Sequence, residues 1–170
     1  MRIGIDISQI IHEGTGVAHY TRNLVENLLK ADKKNEYVLF FSSLRRKPPK
    51  LPNIRAFKIP PTLLEFLWNR LHICPIEWFI GEVDVFLSSD WVQPPTIRAR
   101  KVTTIHDLSP WKYPETLHPQ IVTVHKRRMK WVKRECDLII CDSEATKKDA
   151  MKILKIPEKK LKVIYLGGKC

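Results

Sequence analysis

Short aliphatic runs recur along this chain, and the stretches between them return their apolar residues at helical spacing. Residues 2–7, 37–41, 54–59, 83–87, 102–105, 138–141 and 163–166 are rich in β-branched and aromatic side chains and read as strands. Between them, residues 16–31 carry Val17, Tyr20, Leu24, Val25 and Leu28 on one face. Pro60-Pro61 opens a helix through Leu64, Leu67, Trp68 and Leu71, followed by a short turn at residues 75–80. Pro119 opens a helix to Glu135 whose inward stripe is predicted as Val122, His125, Met129 and Val132, and Asp142 or Ser143 caps a last helix to Leu154. Strands alternating with helices predict an α/β fold, a Rossmann-like three-layer sandwich with a mostly parallel sheet of about seven strands and right-handed crossovers. The chain of 170 residues, 44% hydrophobic, contains no repeat, low-complexity segment or linker and is expected to form one domain.

In a parallel sheet, ligands bind beyond the carboxyl ends of the strands, where helices present their amide-rich N-termini. Four features of this sequence fall there: Gly14-Thr15-Gly16, Asp90-Trp91, His106-Asp107 and Ser143-Glu144. An imidazole beside a carboxylate can accept, donate or orient a proton near neutral pH, although Asp107 can equally organise the Asp-Leu-Ser-Pro turn. The two glycines let backbone amides approach a phosphate, or form a plain tight turn. They do not complete the dinucleotide fingerprint, because His19 holds the third glycine position and Ser42-Ser43 stands where a ribose-binding acid belongs. Ser143 reads first as an N-cap, with Glu144 opposing the helix dipole.

The formal net charge of +12 implies an acidic partner: nucleic acid, anionic lipid or a phosphorylated substrate. Lys126, Arg127, Lys130, Lys133 and Arg134 form one basic helix face, either solvated or docked on anionic lipid, and residues 44–50 add to it. No stacking platform or nucleic-acid motif accompanies the charge, which leaves a basic nucleic-acid module as the alternative reading and nucleic acid as an unexpected partner. Cys74, Cys136, Cys141 and Cys170 show no zinc-site spacing, and with no signal peptide or membrane-spanning run they point to a reducing cytoplasm.

Taken together, residues 1–6, Gly14 to Leu24, Thr104-Ile-His-Asp-Leu-Ser-Pro110 with Tyr113-Pro-Glu115, Cys141-Asp-Ser-Glu-Ala-Thr146 and residues 156–164 resemble the N-terminal half of a group 1 (family 4) glycosyltransferase. The resemblance spans the chain in the family's order. It implies half of a GT-B fold, the acceptor-side Rossmann-like domain of a retaining enzyme that moves a sugar, for example mannose, from a nucleotide-sugar to a glycan or lipid-linked acceptor. It implies no cofactor and no metal beyond the nucleotide-sugar substrate. It implies that Gly16, with Gly14 and Thr15, faces the donor pyrophosphate, that His106 contacts the transferred sugar, and that Asp107 supports His106 or the acceptor. His19, Trp91, Trp111, Ser143 and Glu144 fall on the acceptor side, His19 replacing a frequent Arg and Trp111 a frequent aliphatic residue. The family's donor-binding domain would follow Gly167-Gly168, whereas this sequence ends at Cys170. A donor domain supplied in cis or trans, a cytoplasmic or peripheral membrane location and an inactive isolated chain are therefore the expectations.

Overall fold

The computed structural model describes residues 1–167; Gly168 and Cys170 lie outside them. Seven strands form one all-parallel sheet: β1 (Arg2–Asp6), β2 (Glu36–Ser42), β3 (Ile54–Phe57), β4 (Val85–Ser88), β5 (Arg100–Ile105), β6 (Leu138–Cys141) and β7 (Leu161–Val163), in the order β3-β2-β1-β4-β5-β6-β7. The helices are α1 (Gly16–Ala31), α2 (Pro61–Glu65), α3 (Glu77–Ile80), α4 (Ser109–Lys112), α5 (Pro119–Glu135) and α6 (Glu144–Leu154). The fold is the predicted Rossmann-like sandwich.

Consecutive residues of β2 show why both faces of the sheet are covered. Val38 and Phe40 enter a core with Leu64, Trp68, Ile80 and Phe86, while Tyr37, Leu39 and Phe41 enter another with Ile5, Ile7 and Val25. A strand buried on both sides has no polar face, which is why residues 37–41 read as an uninterrupted apolar run. A third core gathers Ile105, Leu108, Met129, Val132, Ile139 and Ala150 around Cys136 and Cys141. Burial pushes these two thiols up to about 12 and about 11, so both remain protonated at neutral pH.

Three details depart from the sequence reading. The last strand lies at Leu161–Val163 rather than residues 163–166, because its partner β6 ends at Cys141, the residue paired with Val163. The helix expected through Leu71 is regular only to Glu65 and continues as a π-helix over Phe66–Leu71. Along α5 the buried residues are Val124, Arg128, Met129 and Val132, with Val122 and His125 half-buried. The stripe is rotated because Arg128, a residue that periodicity would leave in solvent, is drawn beneath the sheet's end to reach Thr103 and the Thr104 carbonyl.

Candidate active site

Strands are added outward from the β1–β4 pair in both directions, which makes that pair the topological switch point, where the following loops part and leave a crevice. There lies a cleft of about 430 Å³. Asp6 reaches it from the end of β1 and Ser89-Asp90-Trp91 from the end of β4. Thr15 and Val17 come from the start of α1, Leu64 and Glu65 from α2, and Gln120, Val124 and His125 from α5.

A smaller hollow adjoins the cleft and shares Asp6, Val17, Ser89 and Asp90 with it; its far wall holds Tyr20, Thr104 and His106. His106 follows directly on β5, and its ring is fixed from two sides. Nδ1 lies 2.5 Å from Asp142 Oδ2, and Tyr20 meets the ring edge-on at 4.7 Å. A carboxylate accepts, so Nδ1 carries hydrogen and the neutral ring keeps its lone pair on Nε2. Tyr20 is in turn held by its hydroxyl, 3.0 Å from Thr104 Oγ1. Behind it, Thr146 Oγ1 donates to the His106 carbonyl at 3.2 Å, tying α6 to the same loop.

The structure therefore pairs His106 with Asp142, not with its sequence neighbour. Asp107 is exposed, and its Oδ1 accepts the Ser109 N–H at 2.7 Å, the turn-organising arrangement. Of the glycine loop, Thr15 lines the cleft and caps α1 by accepting from the Ala18 N–H at 3.2 Å. Gly14 has φ +86°, and a Cβ on Gly16 would meet nothing within 4 Å, so the surface above the helix start is open. His19 is exposed on α1. Trp91 lines the cleft, its ring edge-on to His125 at 5.9 Å. Trp111 packs against the core under α4 rather than in the cleft wall. Ser143 caps α6, accepting from the Thr146 N–H at 3.1 Å, and Glu144 is exposed in the first turn.

Sequence reasoning gave no site role to Asp6 or Arg128, and named Asp142 only as an alternative cap of α6, a place that Ser143 takes. Asp6 is 3% exposed; Oδ1 accepts the Ser8 N–H at 2.9 Å, and Oδ2 has no hydrogen-bond partner. Burial raises the pKa of its carboxyl, the neighbouring Ser8 and Ser89 groups oppose that rise, and nearby Asp90 adds to it. His125 is pushed down by burial, then by the Arg128 charge, so it stands neutral at pH 7. Beneath the cleft, Arg128 donates to the Thr103 hydroxyl, and Ser88 Oγ lies 2.8 Å from that hydroxyl and 2.7 Å from Gln93 Oε1. Asn69, on the π-helix, accepts from the Gln93 N–H at 3.0 Å and donates to the Trp91 carbonyl at 3.0 Å, which fixes the loop carrying Trp91.

The arrangement offers a fixed imidazole with one free nitrogen, buried acceptor oxygens, a half-buried tryptophan and a helix start, set around connected hollows. Among the described residues no group of three or more His, Cys, Asp or Glu side chains is placed to hold a metal ion, and no helix is long and apolar enough to cross a membrane. No curated protein matches the chain. Residues 14–167 match the family model described as Glycosyltransferase Family 4.

Proposed function

Because the chain belongs to glycosyltransferase family 4, we propose that it is the acceptor side of a retaining transferase that moves a hexose such as mannose from a nucleotide-sugar to a glycan or lipid-linked acceptor. The observation that carries this reading is His106, held by Asp142 and Tyr20 at the edge of a hollow continuous in its lining with the main cleft. A ring immobilised through Nδ1 has Nε2 left for a sugar hydroxyl, and fixing its orientation beforehand removes that cost from the reaction.

In the transfer an acceptor hydroxyl forms a new bond to the anomeric carbon while the bond from that carbon to the nucleoside diphosphate breaks; the diphosphate leaves with the electron pair, collects negative charge and takes up the hydroxyl's proton. The start of α1 contributes backbone amides on one side. Among the described residues no Lys or Arg lines the cleft, so the cations that stabilise the leaving group belong to a donor-binding domain acting in cis or trans. The 170-residue chain by itself is expected to hold an acceptor without turning over.

Release of nucleoside diphosphate from a nucleotide-sugar tests the proposal. The isolated chain is expected to release none above background, and the same chain joined to a donor-binding domain of the family is expected to be active. In the joined protein, His106→Ala is expected to lower kcat by about a hundredfold or more, and Asp142→Asn by about tenfold with a displaced pH profile. Transfer that does not depend on His106, or turnover by the isolated chain, overturns the reading.

The basic outer face of α5 gives the same protein a place to act. Phe66, Leu71 and Ile73 are 42%, 50% and 46% exposed. They sit beside that face because Trp131 bonds the Asn69 carbonyl, stacks on His72 at 3.6 Å and lies under Arg134. Apolar side chains bordered by exposed Lys126, Lys130, Lys133 and Arg134 fit an anionic membrane surface, where a lipid-linked acceptor would be met.

A further inference from the structure

Although the chain has 30 Lys and Arg residues and a formal net charge of +12, none of those among the described residues lines the cleft, and three carboxylates do: Asp6, Glu65 and Asp90. Glu65 is answered from outside, by Arg127 at 3.2 Å and Arg70 at 4.0 Å, whose side chains line a hollow that adjoins the cleft through Glu65, Gln120 and Val124. The charge facing the cleft therefore falls to Asp6 and to Asp90, the latter opposed from beneath by buried Arg128.

Asp6 Oδ2 and Ser89 Oγ are both buried and near each other, the hydroxyl acting to lower the carboxyl's pKa, yet neither makes a hydrogen bond of good geometry, and both residues lie where the cleft meets the smaller hollow. A buried polar atom left unmatched destabilises the fold until something bonds to it. What bonds to a carboxylate oxygen is a hydrogen donor, and among the described residues no Lys or Arg lines the cleft to compensate a ligand that brings negative charge. His125, held neutral by burial, does not change that balance. Trp91 supplies an apolar face beside these acceptors. The cleft volume of about 430 Å³ is ample for a sugar ring.

We propose that this cleft is a charge-selective acceptor subsite: it takes a sugar ring that bears no negative charge, the ring's hydroxyls donating to Asp6 and Asp90 while its apolar face lies on Trp91, and it rejects sugar phosphates and uronic acids. The inference rests on the acceptor-side reading of the chain and names the class of acceptor. A phosphate belonging to a lipid-linked acceptor is accommodated outside the cleft, toward the guanidinium groups of Arg70 and Arg127 and the basic face beyond them.

Saturation-transfer NMR on the chain tests this with methyl α-mannopyranoside, methyl β-glucopyranoside and methyl β-galactopyranoside against mannose 6-phosphate and glucuronate. At least one neutral glycoside is expected to bind about tenfold or more tightly than either anion, since one like-charge contact in a partly enclosed site is worth about that factor. Added salt is expected to narrow the gap. Asp6→Asn and Trp91→Ala are each expected to weaken the neutral glycoside about fivefold or more, with melting that stays a single cooperative transition as the check on folding. Equal or tighter binding of the anions overturns the charge selection and leaves the transferase reading standing. Neutral binding that survives both substitutions, or no binding of any saccharide, overturns the subsite itself, while the transferase reading still answers to its turnover assay.

Discussion

Asp6 ends β1 with one oxygen bonded and the other enclosed, and desolvation is the largest influence on its carboxyl, raising the pKa. A carboxyl whose folded pKa lies above its unfolded value near 3.9 adds stability below that value and loses it as pH rises through the folded pKa. Its ionised form is therefore a burden at neutral pH. Asp6→Asn keeps an oxygen for the Ser8 N–H and discards the charge. It is expected to raise the thermal midpoint at pH 7 by a few degrees, at about 2–4 °C per kcal/mol for a domain this size. The gain is expected to shrink towards pH 4, and melting curves across that window give the sign directly. A substitution that stabilises the fold while weakening sugar binding marks a residue kept for function. Residues of this kind were only half legible in the sequence. His106 stood out because an imidazole directly follows a buried strand. Its partner did not, since Asp142 is brought to it by the β5–β6 pairing, and adjacency favoured Asp107. Nothing local distinguished Asp6 from any acid at a strand end.

At the scale of elements, the alternation of short strands and amphipathic helices sufficed to give the order and the parallel sheet, because a strand buried on both faces and a helix buried on one have different periods. What escaped was fixed by contacts distant in sequence. The π-helix over Phe66–Leu71 is one such case: the His72 N–H bonds the Leu67 carbonyl, five residues back. That wider turn carries Asn69, whose amide bonds both Trp91 and Gln93. Hydrophobic spacing over so short a segment does not separate a π turn from an α turn. The close approach of α3 to β1 is another. A Cβ on Gly4 would lie 2.7 Å from Ile80 Cδ1 and 2.9 Å from the ring of Phe86, which is itself fully buried. Gly4→Ala is accordingly expected to destabilise the domain by about 1–3 kcal/mol through overpacking, read from the denaturant midpoint at unchanged slope. An unchanged midpoint would mean that α3 yields, and with it the core between β1 and α2.

Across the whole molecule the charge is sorted. Carboxylates and neutral groups line the cleft, and exposed cations cover the outer face of α5 next to Phe66, Leu71 and Ile73. The basic face was visible in the sequence as Lys126 to Arg134, but its apolar border was not, because residues 66–73 meet that helix through contacts distant in sequence, those of Asn69 and His72 with Trp131 and of His72 with Glu135. A surface with both characters distinguishes a membrane from other polyanions. Vesicles of 70:30 phosphatidylcholine and phosphatidylglycerol are expected to retain the chain, and pure phosphatidylcholine to retain far less. Lys130→Glu with Arg134→Glu is expected to weaken retention about tenfold or more, at about 1 kcal/mol for each cation near the surface. Leu71→Ser with Ile73→Ser is expected to weaken it as well, and this second loss is the discriminating one, because a purely electrostatic partner such as duplex DNA gains nothing from those side chains. Retention that ignores Leu71 and Ile73, together with tight and steeply salt-dependent binding of DNA, would assign the basic face to nucleic acid instead.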